Sequence, residues 1–302
     1  MAVERSKLIV LKEHTVAEEL SNVRLVDYCI GLFPQLPTKN AVKKAMKRRE
    51  ILHNSTEGQT GNWVQQNDLI QLIEPQLKRP KPFPLEIQIV HEEDTFAVVV
   101  KPSGLVINGN QFRTLENALV DQLRSSTYED TLKWGKPVHR LDSATSGLVI
   151  VAKTLEAHRK FGDLFSSRKI KKQYHAIVQG KPENQLISSD VDGKTAESKL
   201  TVIKTVPSLR NEYLSLVLLE PTTGRTHQLR KHCKEISHPM VGDQLYGEEG
   251  NVMKHKGLFL SATSLAFEHP HSSESITISI PVPPKFEALL NRESRRFLDY
   301  KG

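Results

Sequence analysis

An aspartate between a cation and a polar turn is the feature of this chain that most clearly suggests chemistry. Asp142 stands two residues after Arg140 in the segment His139–Gly147, and Ser143–Gly147 has the composition of a turn. The apolar, β-branched run Leu148–Ala152 follows directly and predicts a buried strand. A carboxylate at the mouth of such a strand is positioned to act as a base or a nucleophile. An aspartate that merely caps the turn is the open alternative, which this segment alone does not exclude.

Three further segments carry polar groups at strand ends or in tight turns. Lys171–Val178 predicts a strand that begins with a basic cluster and displays Tyr174. Pro221–His232 packs polar and basic residues into a turn that leads into a helix. Val100–Leu105 predicts a strand that ends in a tight turn.

Two motifs in these segments resemble those of the RluA family of pseudouridine synthases. They are His-Arg-Leu-Asp-x-x-Thr-Ser-Gly at 139–147 and Gly-Arg-Thr-His-Gln-Leu-Arg at 224–230, and they occur in the family's order. The resemblance extends over residues 85 to 285. It implies an enzyme, an isomerase, that detaches uridine from its ribose in RNA and rejoins it through a ring carbon. Such a reaction has no redox step, so the resemblance implies neither a cofactor nor a metal.

The resemblance also implies roles for individual residues. Asp142 would be the catalytic nucleophile or base, and Arg230 would pair with that carboxylate. Tyr174 would stack on the target base and is a candidate for proton transfer. Arg140 would fill the space left when the uridine is flipped out of the RNA stack. Four more residues are expected to bind substrate or shape the site: Lys101, Arg225, Thr226 and His227.

Each role has a plainer alternative. Tyr174 could fill the core, Arg230 could lie on a helix surface, and Arg140 could contact phosphate only. The chain also departs from the family at two places: Val100 stands where asparagine is usual, and Ser261 where histidine is common. Neither departure affects the aspartate, the tyrosine or the paired arginine, so an active enzyme is expected.

A basic helix near the N-terminus predicts a second RNA contact. Thr38 is a good N-cap for a helix whose apolar stripe is Val42, Ala45 and Met46. Its other faces carry six cations that are expected to bind RNA, although a solvated helix face is the alternative: Lys39, Lys43, Lys44, Lys47, Arg48 and Arg49. The segment resembles, in part, the small RNA-binding domain named after a ribosomal small-subunit protein. It departs from that pattern in the turn and in the closing strand.

The pattern of elements predicts an α+β protein with a mixed or antiparallel sheet, because strands outnumber helices without strict alternation. We expect a first domain at 1–77 with an early strand at Leu8–Leu11, a proline-rich linker at 78–84, and a catalytic domain at 85–302. Five strands and two helices are predicted in the catalytic domain: Phe96–Val100, Leu148–Ala152, Tyr174–Val178, Leu214–Leu218, Ile276–Ile280, and helices at Leu115–Leu123 and Ala157–Phe165.

Composition limits the class of protein. The net charge of +7 and the pI of about 9.2 suit a polyanionic partner such as RNA. The chain has only two cysteines and no apolar run long enough to cross a membrane, which predicts a soluble cytoplasmic protein. We expect a monomer that acts on ribosomal RNA, with transfer RNA open.

Other classes fit the residues less well. His227, His232, Cys233 and His238 have no common zinc-ligand spacing. The Gly-x-Ser-x-Gly elbow of serine hydrolases is missing, and the motifs supply one carboxylate where a glycosidase needs two. The serious alternative is an RNA-binding or ribosome-assembly factor that has lost turnover, against which the intact Asp142, Tyr174 and Arg230 argue.

Overall fold

The computed structural model describes residues 10–17, 22–73, 80–247, 256–272 and 274–301. The chain divides into two compact units, Met1–Arg79 and Pro80–Gly302. No helix within the described ranges is long and apolar enough to cross a membrane.

The first unit is a small antiparallel sheet with two helices. Its strands lie in the order β1-β4-β2-β3. Thr38 caps the second helix as predicted, since its hydroxyl accepts a hydrogen bond from the amide of Ala41 at 3.2 Å. The predicted strand at Leu8–Leu11 lies partly outside the described residues, because Leu8 and Ile9 are not among them. The elements are β1 (Val10–Thr15), α1 (Leu25–Tyr28), α2 (Lys39–Lys47), β2 (Ile51–His53), β3 (Thr56–Glu57) and β4 (Leu69–Ile73).

The second unit is built on a ten-stranded sheet. Its strands run in the order β10-β11-β12-β9-β13-β8-β6-β5, with β14 paired to β13 and β7 paired to β8. The elements are β5 (Gln88–Glu92), β6 (Phe96–Lys101), α3 (Leu115–Ala118), β7 (Thr131–Pro137), β8 (Ser146–Thr154), α4 (Leu155–Ser166), β9 (Lys171–Gln179), β10 (Gln185–Val191), β11 (Lys194–Ser208), β12 (Glu212–Pro221), α5 (Gln228–Glu235), β13 (Leu260–Glu268), β14 (Ser275–Ser279) and α6 (Pro284–Lys301).

One parallel pair makes this sheet mixed. Strands β8 and β13 run parallel, whereas the other pairs are antiparallel. The predicted α+β class with a mixed sheet is therefore confirmed.

Strand β8 is apolar from Leu148 to Ala152 because both of its faces are covered. Leu148 and Ile150 pack in the cluster that contains Phe161 of α4, whereas Val149 and Val151 pack in the cluster that contains Leu115 of α3. A strand buried on both sides loses the alternation of polar and apolar residues. This central strand anchors the segment that carries Asp142.

Several elements differ from the sequence prediction. The helix predicted at Leu115–Leu123 ends at Ala118, and the chain turns through Asp121, whose φ is +67°. The predictions did not include β5, β7, β13, the β10–β11 hairpin or α6. In α6, Phe286, Leu289 and Leu290 form a buried stripe with helical spacing.

Gly147 allows β8 and β13 to approach each other closely. Its φ is +117°, and a Cβ at this position would lie 2.1 Å from the carbonyl oxygen of Ala262. A side chain here would both strain the backbone and push the parallel strands apart. Glycine at this position is therefore a geometric requirement.

We expect Gly147→Ala to lower the free energy of unfolding by at least about 2 kcal/mol, because the new methyl group meets backbone atoms. Gly162→Ala is the matched control, since a Cβ at Gly162 in α4 meets nothing within 4 Å. Removing a helix glycine should raise stability by about 1 kcal/mol. Thermal and denaturant unfolding measure both changes, and equal stability of the two variants would contradict this account.

Candidate active site

The loop that carries Asp142 is fastened by a buried lysine. The Lys101 ammonium donates hydrogen bonds to the carbonyl oxygens of Pro102 at 2.9 Å, Leu105 at 2.8 Å and Ser143 at 3.1 Å. The amide of Gly104 also donates to the Ser143 carbonyl, at 2.7 Å. Burial lowers the pKa of Lys101 to about 8, although the charge of Asp142 acts in the opposite direction. Lys101 has no exposed surface, so the expected substrate contact is corrected to a positioning role.

His139 fastens the other end of the same loop. Its Nε2 accepts a hydrogen bond from the amide of Ile150 in β8 at 3.0 Å, and its ring lies 4.6 Å from that of Phe165. Burial, together with the nearby charge of Lys172, lowers the pKa of His139 to about 3. The imidazole is therefore neutral at physiological pH, with its proton on Nδ1. Motif reasoning had named this histidine without giving it a function.

Two side chains of the second motif face the Asp142 carboxylate. Arg230 Nη1 lies 3.9 Å from Asp142 Oδ2, and His227 Nε2 lies 3.7 Å from Asp142 Oδ1. These distances bring the groups together at ion-pair range without a direct hydrogen bond. Each oxygen of Asp142 thus faces one side-chain nitrogen.

The stronger partner of Arg230 is an acid that sequence reasoning missed. Arg230 Nε donates to Asp243 Oδ2 at 2.7 Å, and Nη2 donates to Asp243 Oδ1 at 2.6 Å. Burial alone would raise the pKa of Asp243, but the hydrogen bonds and charge of Arg230 outweigh it and lower that pKa. The sequence signal was an acid directly after the apolar run Met240–Gly242. Such an acid, when buried, needs a cation.

Asp243 also organises the turn that carries Tyr246. Its Oδ1 accepts the amides of Leu245 at 3.0 Å and Tyr246 at 3.1 Å. The Tyr246 hydroxyl lies 3.0 Å from His227 Nδ1, and its ring centre lies 5.0 Å from the Arg230 guanidinium. His227 has a φ of +56°, which is uncommon for a residue with a side chain and is typical of functional sites. Asp243 thus positions both groups that face Asp142.

Tyr174 forms part of the wall beside Asp142. Its strand β9 lies between β12 and β13, so the residue sits opposite Leu219 on one side and Ala262 on the other. Burial raises the pKa of the Tyr174 phenol well above its usual value, and the charge of Asp142 raises it further. The phenol is therefore neutral over the physiological range, and its ring offers a surface for stacking.

A cavity of about 340 Å³ lies within the size range of small-ligand sites, and it is lined by His139, Asp142, Tyr174, His227 and Arg230 among others. Arg140 is exposed at its margin, as is Thr226. Arg225 donates from Nε to the Thr195 carbonyl oxygen at 3.3 Å. Lys172, which the prediction had not singled out, also lines the cavity, and burial lowers its pKa. Among the described residues that line the cavity, Asp142 is the one carboxylate.

The six cations predicted to bind RNA lie in or just beyond α2. Three of them have acidic partners: Lys39 lies 2.6 Å from Asp27, Arg49 lies 3.2 Å from Glu57, and Arg48 pairs with Glu50. The described part of the first unit offers no ion pair to the other three, which are Lys43, Lys44 and Lys47. The positive charge of the helix that has no ion-pair partner is therefore smaller than the sequence suggested.

No set of three or more histidine, cysteine, aspartate or glutamate side chains in the described segments could hold a metal ion.

Comparison with known proteins shows which family the chain resembles. Residues 95–235 match the family model described as RNA pseudouridylate synthase. Nearly half of the chain is therefore similar to this family. It is 28% identical to ribosomal large subunit pseudouridine synthase C of Pasteurella multocida, over 93% of both chains. It is 34% identical to ribosomal large subunit pseudouridine synthase D of Neisseria meningitidis, over 70% of this chain and 62% of that one.

A solved structure supports the same assignment. Human RNA Pseudouridylate Synthase Domain Containing 1 is 28% identical, with a TM-score of 0.56, over 67% of this chain and 87% of that one. The predicted resemblance of the catalytic domain to pseudouridine synthases and the predicted isomerase activity are therefore confirmed. The partial resemblance of the first unit to a ribosomal-protein RNA-binding domain stays a prediction. The family model spans both motifs and ends at Glu235, whereas Asp243 and Tyr246 lie beyond it.

We expect Asp243→Asn to lower the free energy of unfolding by about 3–5 kcal/mol, because it leaves the buried Arg230 guanidinium without a charged partner. It should also lower kcat for pseudouridine formation more than it raises KM, because Arg230 and His227 are no longer held beside Asp142.

Asp192→Asn is the matched control for this substitution. Asp192 forms an ion pair at 2.6 Å with Lys231, which lies on the same helix as Arg230. The side chain of Asp192 is 65% exposed. Its loss should cost about 1 kcal/mol or less. Unfolding and steady-state kinetics that show the same behaviour for both variants would contradict the role given to Asp243.

Proposed function

We propose that this enzyme isomerises uridine in large-subunit ribosomal RNA and that Asp142 is its catalytic carboxylate. The observation that carries the residue assignment is the lining of the cavity, where Asp142 is the one carboxylate among the described residues. Arg230 and His227 face its two oxygens, and the Tyr174 ring lies in the same wall.

The reaction breaks one bond to the ribose and forms another. The bond between uracil N1 and the ribose anomeric carbon breaks, and a bond from C5 to that carbon forms. C5 loses a proton and N1 gains one, so the atoms balance without an oxidant or a second substrate. Asp142 acts near the anomeric carbon as a nucleophile or as a base, and a cavity that excludes water protects the detached base.

The surrounding side chains assist Asp142 by their charge, by stacking and by filling space. The Arg230 guanidinium stays charged, and its Nη1 faces Asp142 Oδ2 at 3.9 Å. The neutral Tyr174 phenol provides a stacking surface for the uracil ring. Arg140 is exposed at the margin of the cavity, where it can occupy the gap left by a flipped nucleotide. Arg225 and Thr226 border the same entrance.

Ribosomal RNA is favoured as substrate by the names of the relatives, both of which are large-subunit enzymes. We assign RNA binding in the first unit to Lys43, Lys44 and Lys47 of α2, whose charges can neutralise phosphates. We further propose that the enzyme acts as a monomer, because one chain supplies every cavity residue described. Ribosomal RNA as substrate favours a cytoplasmic location.

We expect Asp142→Asn to abolish pseudouridine formation while RNA affinity changes less than about threefold, because the amide keeps the shape and loses the charge. Asp299→Asn in α6 is the control, since Asp299 is exposed and lies outside the cavity. Mass spectrometry of RNA treated with each variant measures the product. Turnover by Asp142→Asn at the rate of the control would refute the assignment.

We expect deletion of the gene for this chain to remove pseudouridine from specific positions of large-subunit ribosomal RNA. A transcriptome-wide pseudouridine map with and without the chain measures this. Restoring the unsubstituted chain should restore the positions, whereas restoring Asp142→Asn should not. A loss confined to transfer RNA would contradict the proposed substrate and leave the reaction unaffected.

A further inference from the structure

A second, larger groove opens beside the active-site cavity. Its volume is about 1180 Å³. The turn between α4 and β9, the β10–β11 hairpin and the end of β12 form its walls. Four residues line both the groove and the active-site cavity: Lys172, Pro221, Thr223 and Arg225. The two spaces are therefore continuous at the active-site entrance.

The groove is strongly basic. Two carboxylates line it, Glu197 and Glu220, and both have partners within its walls. Glu220 accepts from Gln173 Nε2 at 3.0 Å and lies 3.8 Å from Lys199, while Glu197 accepts from the Thr222 hydroxyl at 3.3 Å. Six cations line the same groove: Arg168, Lys171, Lys172, Lys194, Lys199 and Arg225.

Three of these cations are available to bind an anionic ligand. Arg168, Lys171 and Lys194 are exposed, and the parts of the chain that the structure describes provide them with no ion pair. A cluster of unpaired cations beside a cavity attracts a polyanion, since each phosphate that it neutralises releases counterions.

The hairpin that carries Lys194 is held in place by bonds to the active-site region. Asp192 and Gly193 form its two-residue turn, with φ of +54° and +71°. Asp192 pairs with Lys231 of α5 at 2.6 Å, and Ser189 donates to Glu235 of the same helix at 2.6 Å. Arg225 Nε donates to the Thr195 carbonyl oxygen. The groove is thus preformed on the helix that also carries Arg230.

We propose that this groove binds the sugar–phosphate backbone of the RNA strand that continues from the target uridine. The inference rests on the proposed function, because a uridine in the cavity must have its neighbouring nucleotides at the entrance that the two spaces share. Contacts of this kind position the strand and supply affinity without reading its sequence. An acidic protein segment is the competing occupant, and continuity with the uridine cavity favours RNA.

The test removes the three unpaired charges together. Arg168→Gln, Lys171→Gln and Lys194→Gln are combined in the full chain, which also carries Asp142→Asn to prevent turnover. The matched control removes three exposed cations outside the groove: Lys181→Gln, Lys204→Gln and Arg295→Gln. The probe is an unmodified large-subunit ribosomal RNA transcript, and its affinity is measured over a range of salt concentrations.

We expect the groove variant to bind about tenfold more weakly at 0.15 M salt, and the slope of log K against log salt to become shallower by about 2. The control should stay within about twofold of the chain that carries only Asp142→Asn. Equal effects of the two triple variants would overturn the proposal, because they would reflect net charge alone. Unchanged RNA affinity of the groove variant, with loss of binding to an oligoglutamate peptide, would also overturn it.

The outcome is separable from that of the proposed function. If the unsubstituted chain forms no pseudouridine in any RNA but the groove variant still loses RNA affinity, the function fails and the groove assignment stands. If pseudouridine forms and both triple variants bind alike, the groove assignment fails and the function stands.

Discussion

The buried ion pair between Arg230 and Asp243 is the interaction on which the rest of the site depends. Arg230 faces the Asp142 carboxylate from a position where its side chain is only 4% exposed. A buried guanidinium is stable only when a nearby acid and hydrogen bonds satisfy it. Asp243 supplies both, and it also accepts the backbone amides that place Tyr246 beside His227. One carboxylate thus orients three groups around the reacting one.

The loop that carries Asp142 is held through main-chain atoms. Lys101 binds carbonyl oxygens of the loop and of its own turn, while His139 accepts an amide of the central strand. Both side chains could titrate, yet both are committed to structure, since burial opposes their charged forms. The titratable groups near Asp142 therefore divide into those that hold the loop and those that face the cavity.

The prediction from sequence was most accurate where chemistry and structure are local. The Thr38 cap, the apolar stripe of α2 and the central strand β8 follow from spacing within a few residues. The end of α3 and the β10–β11 hairpin were missed, because a short turn at Asp121 and a half-exposed strand give weak periodic signals. Helix α6 has a clear apolar stripe at Phe286, Leu289 and Leu290, which was overlooked.

The sequence by itself indicated the family and the reaction and singled out Asp142 as the proposed catalytic acid, because long motifs keep these residues in fixed order. Only the tertiary structure decided what each charge does. Lys101 and Arg140 are both cations in segments that the sequence singled out, yet one is fully buried and the other is exposed at the cavity margin. Asp243 became part of the site because folding brings it against Arg230, 13 residues earlier in the chain. Burial and distance set the energy of a charge, and neither can be read from residue order alone.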